Sequence, residues 1–222
     1  MNRAAGQAQA APNPAAGPSE GPMGRPVAPL VLALTGASGA PYGVRLLELL
    51  ARNRVPVWLI VSSHGARLLK EECGIASVDD LRAATGGDWS TVRPFPDGDR
   101  GALPASGSQP TSGMVICPCS MGTVAAIAAG TSRSLVERAA DVTLKERRKL
   151  ILVPRETPLS LVHLRNLLAV AEAGAIVLPA APGFYHRPTR VGELVDFVVQ
   201  RVLDQLGLDI RVAGRWQDRG PS

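Results

Sequence analysis

The sequence predicts a three-layer α/β fold in which an open parallel sheet is covered by helices on both faces. Two observations support this fold. Short continuous runs of apolar residues, typical of strands buried on both faces, recur along the chain. Between them lie segments whose apolar residues have helical spacing, as the crossover connections of a parallel sheet require. Together these features indicate a Rossmann-like fold of the flavodoxin-like kind.

The strands are predicted from continuous apolar runs that are too short for helices. In chain order they are Leu30–Leu34, Val57–Val61, Met114–Cys117, Leu150–Val153 and Ala175–Leu178. The stretch between Thr85 and Gly113 is rich in Gly, Pro, Asp and Ser and is expected to be irregular. A loop of that length inside a compact domain is commonly a lid or a binding loop.

The helices are predicted from apolar residues three or four positions apart. The first of them carries Val44, Leu47 and Leu50 on one face, and the last ends at Gly207. In chain order they are Pro41–Ala51, Ala66–Glu72, Thr123–Ala129, Leu159–Ala173 and Gly192–Leu206.

A chain of 222 residues is consistent with one domain, which we expect to span residues 29–217. Residues 1–28 are mostly small residues and proline and are predicted to be disordered, and 218–222 form a short tail. Three cysteines fit a reducing cytoplasm, and we find neither a secretion signal nor a membrane-spanning run. The net charge of +5 is mild, so small phosphorylated ligands explain it as well as nucleic acid does.

The turn after the first strand, TGASGAPYG, has glycines at relative positions 0, 3 and 7. A dinucleotide site needs positions 0, 2 and 5, and an acid at the end of the second strand, where Ser62-Ser63 stands instead. The turn can still bind an anion, because we expect Ser38 to cap the helix and Pro41 to occupy its first turn. A tight turn with glycines for packing is the alternative reading.

A second turn of the same kind follows the third strand, where Ser120 and Thr123 offer hydroxyls at a helix N-terminus. Small hydroxyl residues therefore follow three of the predicted strands, namely Ser38, Ser63 and Ser120. Ligands of open α/β sheets bind at this edge, and a mononucleotide fits better than a dinucleotide. The cysteines of CPCS lack partners at metal-ligand spacing, so we interpret them as buried, inert thiols rather than a zinc site.

Several charged residues follow strands or cluster. Arg155 and Glu156 come directly after a strand, where an arginine can hold a phosphate or an anionic ring. Tyr185 also follows a strand and is either a phosphate ligand or a core aromatic. The run LKERRK, residues 144–149, is interpreted as a solvated face. The three histidines have no triad spacing to a Ser or Cys nucleophile, which disfavours nucleophilic catalysis.

Five motifs in this order resemble the UbiX-type flavin prenyltransferases: TGASGAPYGVRLLE, CPCSMGT, ERAADVTLKERRKL, VPRETPLSLVHL and LPAAPGFYHRP. The resemblance covers about Leu30 to Trp216. It implies transfer of a dimethylallyl group from dimethylallyl phosphate to N5 and C6 of reduced FMN without a metal. The product, prenylated FMN, would serve a UbiD-type decarboxylase, with ubiquinone biosynthesis as one implied pathway. It also implies a homo-dodecamer with sites at subunit interfaces.

The resemblance assigns roles residue by residue. It implies FMN contacts for three turns and one arginine: Gly36, Ala37, Ser38, Ser63, Ser120, Met121, Gly122, Thr123 and Arg155. It implies donor-phosphate ligands, namely Lys145, Tyr185 and Arg201. It implies catalytic roles for Ser38, Arg138, Lys145, Glu156 and Trp216. Where the family often has a glutamate, this chain has Cys73, and Glu72 could serve with a one-residue shift.

Three other functions compete with this one. A flavin-dependent cysteine decarboxylase would need a Pro-x-Met-Asn motif, which the sequence lacks, since its single Met-Asn pair is Met1-Asn2. A non-catalytic flavin carrier would not need Lys145, Glu156, Tyr185 and Arg201 together. A nucleic-acid binder should show a recognisable motif or aromatic residues interleaved with the basic run.

Overall fold

The computed structural model describes residues 27–213. The predicted tail 218–222, Trp216 and all but the last two residues of the predicted tail 1–28 lie outside this range. Six parallel strands form one sheet in the order β3-β2-β1-β4-β5-β6. The strands are β1 (Leu30–Leu34), β2 (Val57–Val61), β3 (Val92–Pro96), β4 (Gly113–Cys119), β5 (Leu150–Pro154) and β6 (Ile176–Val177).

Within the described residues six helices connect these strands and a seventh follows the last strand. They are α1 (Ala40–Arg52), α2 (Ser63–Cys73), α3 (Val78–Thr85), α4 (Met121–Ala128), α5 (Leu135–Lys145), α6 (Leu161–Glu172) and α7 (Val191–Leu206). The apolar residues of α1, α2, α3 and α7 pack into the core on one face of the sheet. Those of α4, α5 and α6 pack into the core on the other face. The predicted three-layer fold is therefore confirmed, and no helix among residues 27–213 is long and apolar enough to cross a membrane.

The expectation of an irregular stretch from Thr85 to Gly113 was wrong in part. This stretch contains β3, which pairs with β2, and two short 3₁₀ turns, Trp89–Thr91 and Leu103–Ala105. The sequence of β3, VRPFP, carries an arginine and two prolines, so it does not read as a buried strand. It forms because the apolar strand β2 beside it supplies a complete row of pairing partners.

Both outer strands of the sheet are unusual. The outer strand β3 contains Pro94 and Pro96, which have no N–H to donate. The opposite outer strand, β6, is only two residues long. After β6 the chain continues alongside β5, where the backbone N–H groups of Leu178 and Ala180 donate to the carbonyls of Leu152 and Pro154.

Two helices were not predicted, although both begin with recognisable capping residues. Ser77 caps α3, and Ser134 caps α5 by accepting a hydrogen bond from the N–H of Glu137. Ser-x-x-Glu before a stretch of apolar residues is the sequence signal of a helix start, and it is present at Ser134.

Candidate functional site

The turn after β1 is fixed to the turn after β4 by a buried threonine. The Thr35 hydroxyl donates to the Pro118 carbonyl at 3.0 Å and accepts from the Ser120 N–H at 2.8 Å. Thr35 is 3% exposed, so both of its polar contacts are shielded from water. Sequence reasoning missed this residue, because its partners lie more than eighty positions away.

The start of α2 packs directly against the same turn. The N–H of Ser62 donates to the Leu34 carbonyl at 3.0 Å, and the Ser62 side chain caps α2 by accepting from the Gly65 N–H. A Cβ on Gly36 would lie 2.5 Å from the His64 Cβ. Only glycine allows this approach, which brings the exposed Ser63 beside the first turn.

The expected capping of α1 by Ser38 was wrong. The residue before the helix is Gly39, with a φ of 118°. Because glycine has no side chain, this position provides no side-chain cap. The carboxylate of Glu72, from the last turn of α2, accepts the N–H groups of Gly39 and Ala40 at 2.8 Å each. A carboxylate satisfies these N–H groups better than a hydroxyl because it also complements the positive end of the helix dipole.

Glu72 therefore binds the backbone at the start of α1, whereas the sequence suggested this residue only as a replacement for the glutamate that the family often has at position 73. Its partial burial acts to raise the pKa of this carboxyl. The hydrogen bonds from Gly39, Ser38 and Ala40, together with the charge of Arg155, outweigh that effect, and the pKa of Glu72 is lowered. Because both ends of α2 contact the turn after β1, α2 lies across the carboxyl edge of the sheet.

The N-terminus of α4 provides a third set of polar groups at this edge. The Ser120 hydroxyl caps α4 by accepting from the Thr123 N–H at 3.2 Å and lies 2.9 Å from the Thr123 hydroxyl, so both predicted hydroxyls are at the start of this helix. Met121 is buried, whereas Gly122 is exposed. A Cβ on Gly122 would meet only the Ser120 hydroxyl, at 3.8 Å, so there is open space in front of this turn.

Arg155 joins the end of β5 to the first turn. Its Nε donates to the Ser38 carbonyl at 3.1 Å, which holds a positive charge beside the exposed Ser38. Glu156 follows directly, is exposed, and accepts the N–H of Thr157 at 3.1 Å. The structure thus brings together at one edge the residues predicted to contact FMN: Gly36, Ala37, Ser38, Ser63, Ser120, Met121, Gly122, Thr123 and Arg155.

Lys145 is not part of this group within one chain. Helix α5 starts beside the carboxyl end of β3, where the Leu135 N–H donates to the Asp97 carbonyl. It ends with Lys145 beside Gly107, in the loop that leads into β4, and there Lys145 pairs with Glu146. Eleven residues of helix span about 16 Å, so Lys145 lies at the amino edge of the sheet, away from Ser38.

Two further basic residues of this region are held by neighbours in their own chain. Arg138 lies on α5 and pairs with Asp141 at 2.8 Å. Arg148 donates to the carbonyls of Gly107 and Gln109, so for this residue the interpretation as a solvated face was wrong. Arg147 and Lys149 are exposed, as that interpretation expected.

Tyr185 and Arg201 lie at the β6 end of the sheet. The Tyr185 ring packs edge-on against Phe197 of α7, with ring centres 5.7 Å apart. Arg201, one turn further along α7, pairs with Asp204 at 2.8 Å and lines a cavity of about 350 Å³ together with Phe197 and Leu178. Whether these two residues bind a phosphate stays a prediction, and Trp216 lies outside the described residues.

The two cysteines of β4 are fully buried, as predicted for inert thiols. Burial raises the pKa of Cys117 to about 12, and burial together with the neighbouring Cys117 raises the pKa of Cys119 as well. Among residues 27–213 no cluster of His, Cys, Asp and Glu is arranged to hold a metal ion.

Comparison with known proteins identifies the family. The model of the family described as Flavoprotein matches residues 22–203. The flavin prenyltransferase UbiX of Pseudomonas aeruginosa is 46% identical over 197 residues, which cover 86% of this chain and 94% of that protein. The chain therefore belongs to the flavoprotein family and, within it, to the UbiX-type flavin prenyltransferases.

Two solved structures agree with this assignment. The structure of AnUbiX in complex with FMN and dimethylallyl pyrophosphate has a TM-score of 0.79 and 40% identity, and covers 86% of this chain and 97% of that one. A dodecameric FMN-dependent UbiX-like decarboxylase from Escherichia coli O157:H7 has a TM-score of 0.77 and 44% identity, covering 85% and 98%.

Proposed function

We propose that this protein is a flavin prenyltransferase that joins a dimethylallyl group to N5 and C6 of reduced FMN. The observation that carries the proposal is that three turns are joined into one site: Arg155 links the end of β5 to the turn after β1, and Thr35 links that turn to the one after β4. This site occurs in a chain whose relatives at more than 40% identity are named flavin prenyltransferases.

The first part of the proposal concerns the flavin. The helices α2 and α4 present their first-turn N–H groups at the carboxyl edge, and such groups bind phosphate. Those of α1 are already occupied by Glu72. We therefore assign the FMN phosphate to the starts of α2 and α4, near Ser63 and Gly122. Reduced FMN itself supplies the nucleophilic atoms of the reaction.

The flavin ring would lie beside the exposed Ser38 and the Arg155 guanidinium, which are in direct contact with each other. A cation beside the ring stabilises the electron-rich reduced flavin more than an uncharged environment would. Ser38, held by Glu72, can donate or accept a proton at the edge of the ring. Glu156 is exposed beside Arg155 and is proposed as the acid that moves a proton during ring closure.

The second part concerns the prenyl donor. Loss of phosphate from an allylic donor needs cations where negative charge accumulates, and we assign this role to Lys145, Arg138 and Arg201, with Tyr185 as a further donor. Within one chain Lys145 lies at the opposite edge of the sheet from Ser38. We therefore propose that a neighbouring copy supplies Lys145 and Arg138 to each site.

Assembly into a dodecamer would meet this need, and an apolar surface is available for it. Helix α6 exposes Leu161, Leu164 and Leu168 at helical spacing, each at least half exposed. Such a stripe is unusual on a monomer and is typical of an interface. The related dodecamer from E. coli supports assembly through copies of the same chain.

The product would be prenylated FMN, delivered to a UbiD-type decarboxylase, in ubiquinone biosynthesis or a related pathway. We propose that this takes place in the cytoplasm, because all three cysteines are free thiols, as expected in a reducing compartment.

The test is a reaction of purified protein with reduced FMN under anaerobic conditions. Dimethylallyl phosphate and dimethylallyl pyrophosphate are supplied in separate samples, and a new flavin mass and absorbance spectrum are expected with at least one of them. No adduct with either donor would reject the proposed function. An adduct that forms equally well in Glu156→Gln would instead reject the role of Glu156.

Flavin binding is tested separately with Arg155→Ala. Loss of one charge-assisted contact should weaken FMN binding about tenfold or more, measured by flavin fluorescence titration. Arg52→Ala, which removes an exposed arginine from the end of α1, is the matched control and should bind FMN like the wild type. Equal affinity in both variants would contradict the assignment of Arg155.

A further inference from the structure

The strand order of the sheet changes direction between β1 and β4. From β1 the chain continues outwards to β2 and β3, whereas from β4 it continues the opposite way to β5 and β6. The helices that follow these two strands lie on opposite faces, α1 on one and α4 on the other. In open α/β sheets such a point leaves a crevice at the carboxyl ends of the two strands, where ligands bind. A ligand in this crevice would contact both the turn after β1 and the start of α4.

The side chain of Thr35, the residue directly after β1, bridges this crevice. Val31 and Ala33 of β1 point into the core on the α4 face, and Thr35 continues their alternation. Its hydroxyl therefore lies beside the start of α4, where it accepts the N–H of Ser120 at 2.8 Å. The same hydroxyl donates to the Pro118 carbonyl at 3.0 Å, which also accepts the N–H of Thr35 itself at 3.1 Å.

These hydrogen bonds begin where the regular pairing of β1 with β4 has ended. The last paired residues of the two strands are Ala33 and Ile116, so beyond this pair Thr35 joins the two chains. Ser120 is the capping residue of α4, and its position determines where the first turn of that helix begins. Valine has nearly the same shape as threonine, but it would leave the Ser120 N–H without an acceptor.

We propose that Thr35 is a positioning residue for FMN, because its hydroxyl sets the separation between the turn that carries Ser38 and the start of α4 that carries Gly122. This inference rests on the proposed function, which places the flavin ring beside Ser38 and the FMN phosphate at the starts of α2 and α4. Thr35 is 3% exposed, and its hydroxyl is already used as both donor and acceptor, so it acts through the two turns and not by contact with the flavin. If the separation changes, a ligand that spans both turns loses contacts at one of them.

The test measures FMN affinity by fluorescence titration in variants of the full-length protein. Thr35→Val keeps the shape without the hydroxyl and should weaken FMN binding about tenfold. Thr35→Ser keeps the hydroxyl and should recover most of that loss. Thr35→Cys should lie between the two, because a thiol is a weaker donor and acceptor than a hydroxyl.

Thr85→Val is the matched control. Thr85 is 1% exposed, and its hydroxyl donates to the Leu81 carbonyl at 2.8 Å and accepts the Nε1–H of Trp89 at 3.0 Å. The chain that follows Thr85 bonds to the C-terminal end of α1, the end away from both turns. Each valine variant leaves one buried N–H without its acceptor, so the Tm of the two flavin-free proteins should fall by similar amounts. Only Thr35→Val should also lose FMN affinity.

Three results would overturn the inference: wild-type FMN affinity in Thr35→Val, an equal loss of affinity in Thr85→Val, or binding by Thr35→Ser that is no tighter than that of Thr35→Val. Should Thr35→Val not fold, the comparison of Thr35→Cys with Thr35→Ser decides, and equal affinity in these two contradicts the role of the hydroxyl. A wild-type protein that binds no FMN would reject the flavin site of the proposed function. A wild type that binds FMN, together with an unaffected Thr35→Val, rejects only the role of Thr35.

Discussion

Replacing Glu72 should destabilise the protein through α1, although Glu72 itself belongs to α2. The variant Glu72→Ala leaves the N–H groups of Gly39 and Ala40 without their acceptor. Loss of a helix cap costs about 1 kcal/mol, and loss of a negative charge at a helix N-terminus costs about 0.3–1 kcal/mol. Glu72 is exposed, and solvent screening keeps the charge contribution at the low end, so we expect a total of about 1–2 kcal/mol. Glu72→Gln keeps an acceptor and should lose roughly half as much.

The pH dependence of this loss identifies its cause. The pKa of Glu72 in the folded protein is below its ordinary value of 4.5, so its stabilising effect is complete above that pH and is lost as the pH falls through the folded value. The difference between the wild type and Glu72→Gln in the free energy of unfolding should therefore shrink between pH 6 and pH 3, as measured by urea denaturation.

The control for this experiment is the neighbouring residue. Glu71 makes an exposed ion pair with Arg67 at 2.7 Å, and such a pair contributes little to stability because water screens it. If Glu71→Ala and Glu72→Ala lose equal stability at neutral pH, or if the loss in Glu72→Gln does not change with pH, the capping argument is refuted.

Two other substitutions and one chemical reaction test the packing. Gly43→Ala should cost about 1–3 kcal/mol, because its Cβ would lie 2.4 Å from the Cys117 carbonyl oxygen, whereas Gly192→Ala meets nothing within 4 Å and should be neutral or stabilising by up to about 1 kcal/mol. Thermal unfolding of both variants decides this, and equal losses would contradict it. An alkylating reagent at pH 8 should modify the partly buried Cys73 but neither Cys117 nor Cys119, which are fully buried and out of its reach in the folded protein. Modification of either before unfolding, seen by mass spectrometry, would disprove their burial.

Much of the fold can be predicted because its central strands are continuous apolar runs. Leu30–Leu34 and Val57–Val61 were predicted with the bounds that the structure has. β3 was missed because an outer strand needs fewer apolar residues and tolerates proline, so its pairing depends on β2 rather than on its own composition. The missed helix α5 shows a different failure, since the capping signal at Ser134 was present in the sequence and was not used.

The residues of the site could be predicted from the sequence, but the contacts between them could be predicted less well. Strand order places Ser38, Ser120 and Arg155 at one edge, and this follows from any parallel sheet of this type. The carboxylate at the start of α1 could not be assigned to Glu72, because a helix cap is normally expected within a few residues of the helix it serves, and this one lies 33 positions away. The distance of Lys145 from that edge depends on the direction of α5, which had not been predicted.

The two outer strands determine how copies of this chain can join. Pro94 and Pro96 of β3 have no N–H to donate, so two of the five residues of this outer strand cannot contribute a backbone donor. A new strand added there would find fewer backbone donors than acceptors, and β6 offers only two residues for pairing. Extension of the sheet from one molecule into the next is thus blocked at both ends. An assembly of copies of this chain would then be built from side-chain contacts between helices and loops rather than from one continuous backbone sheet.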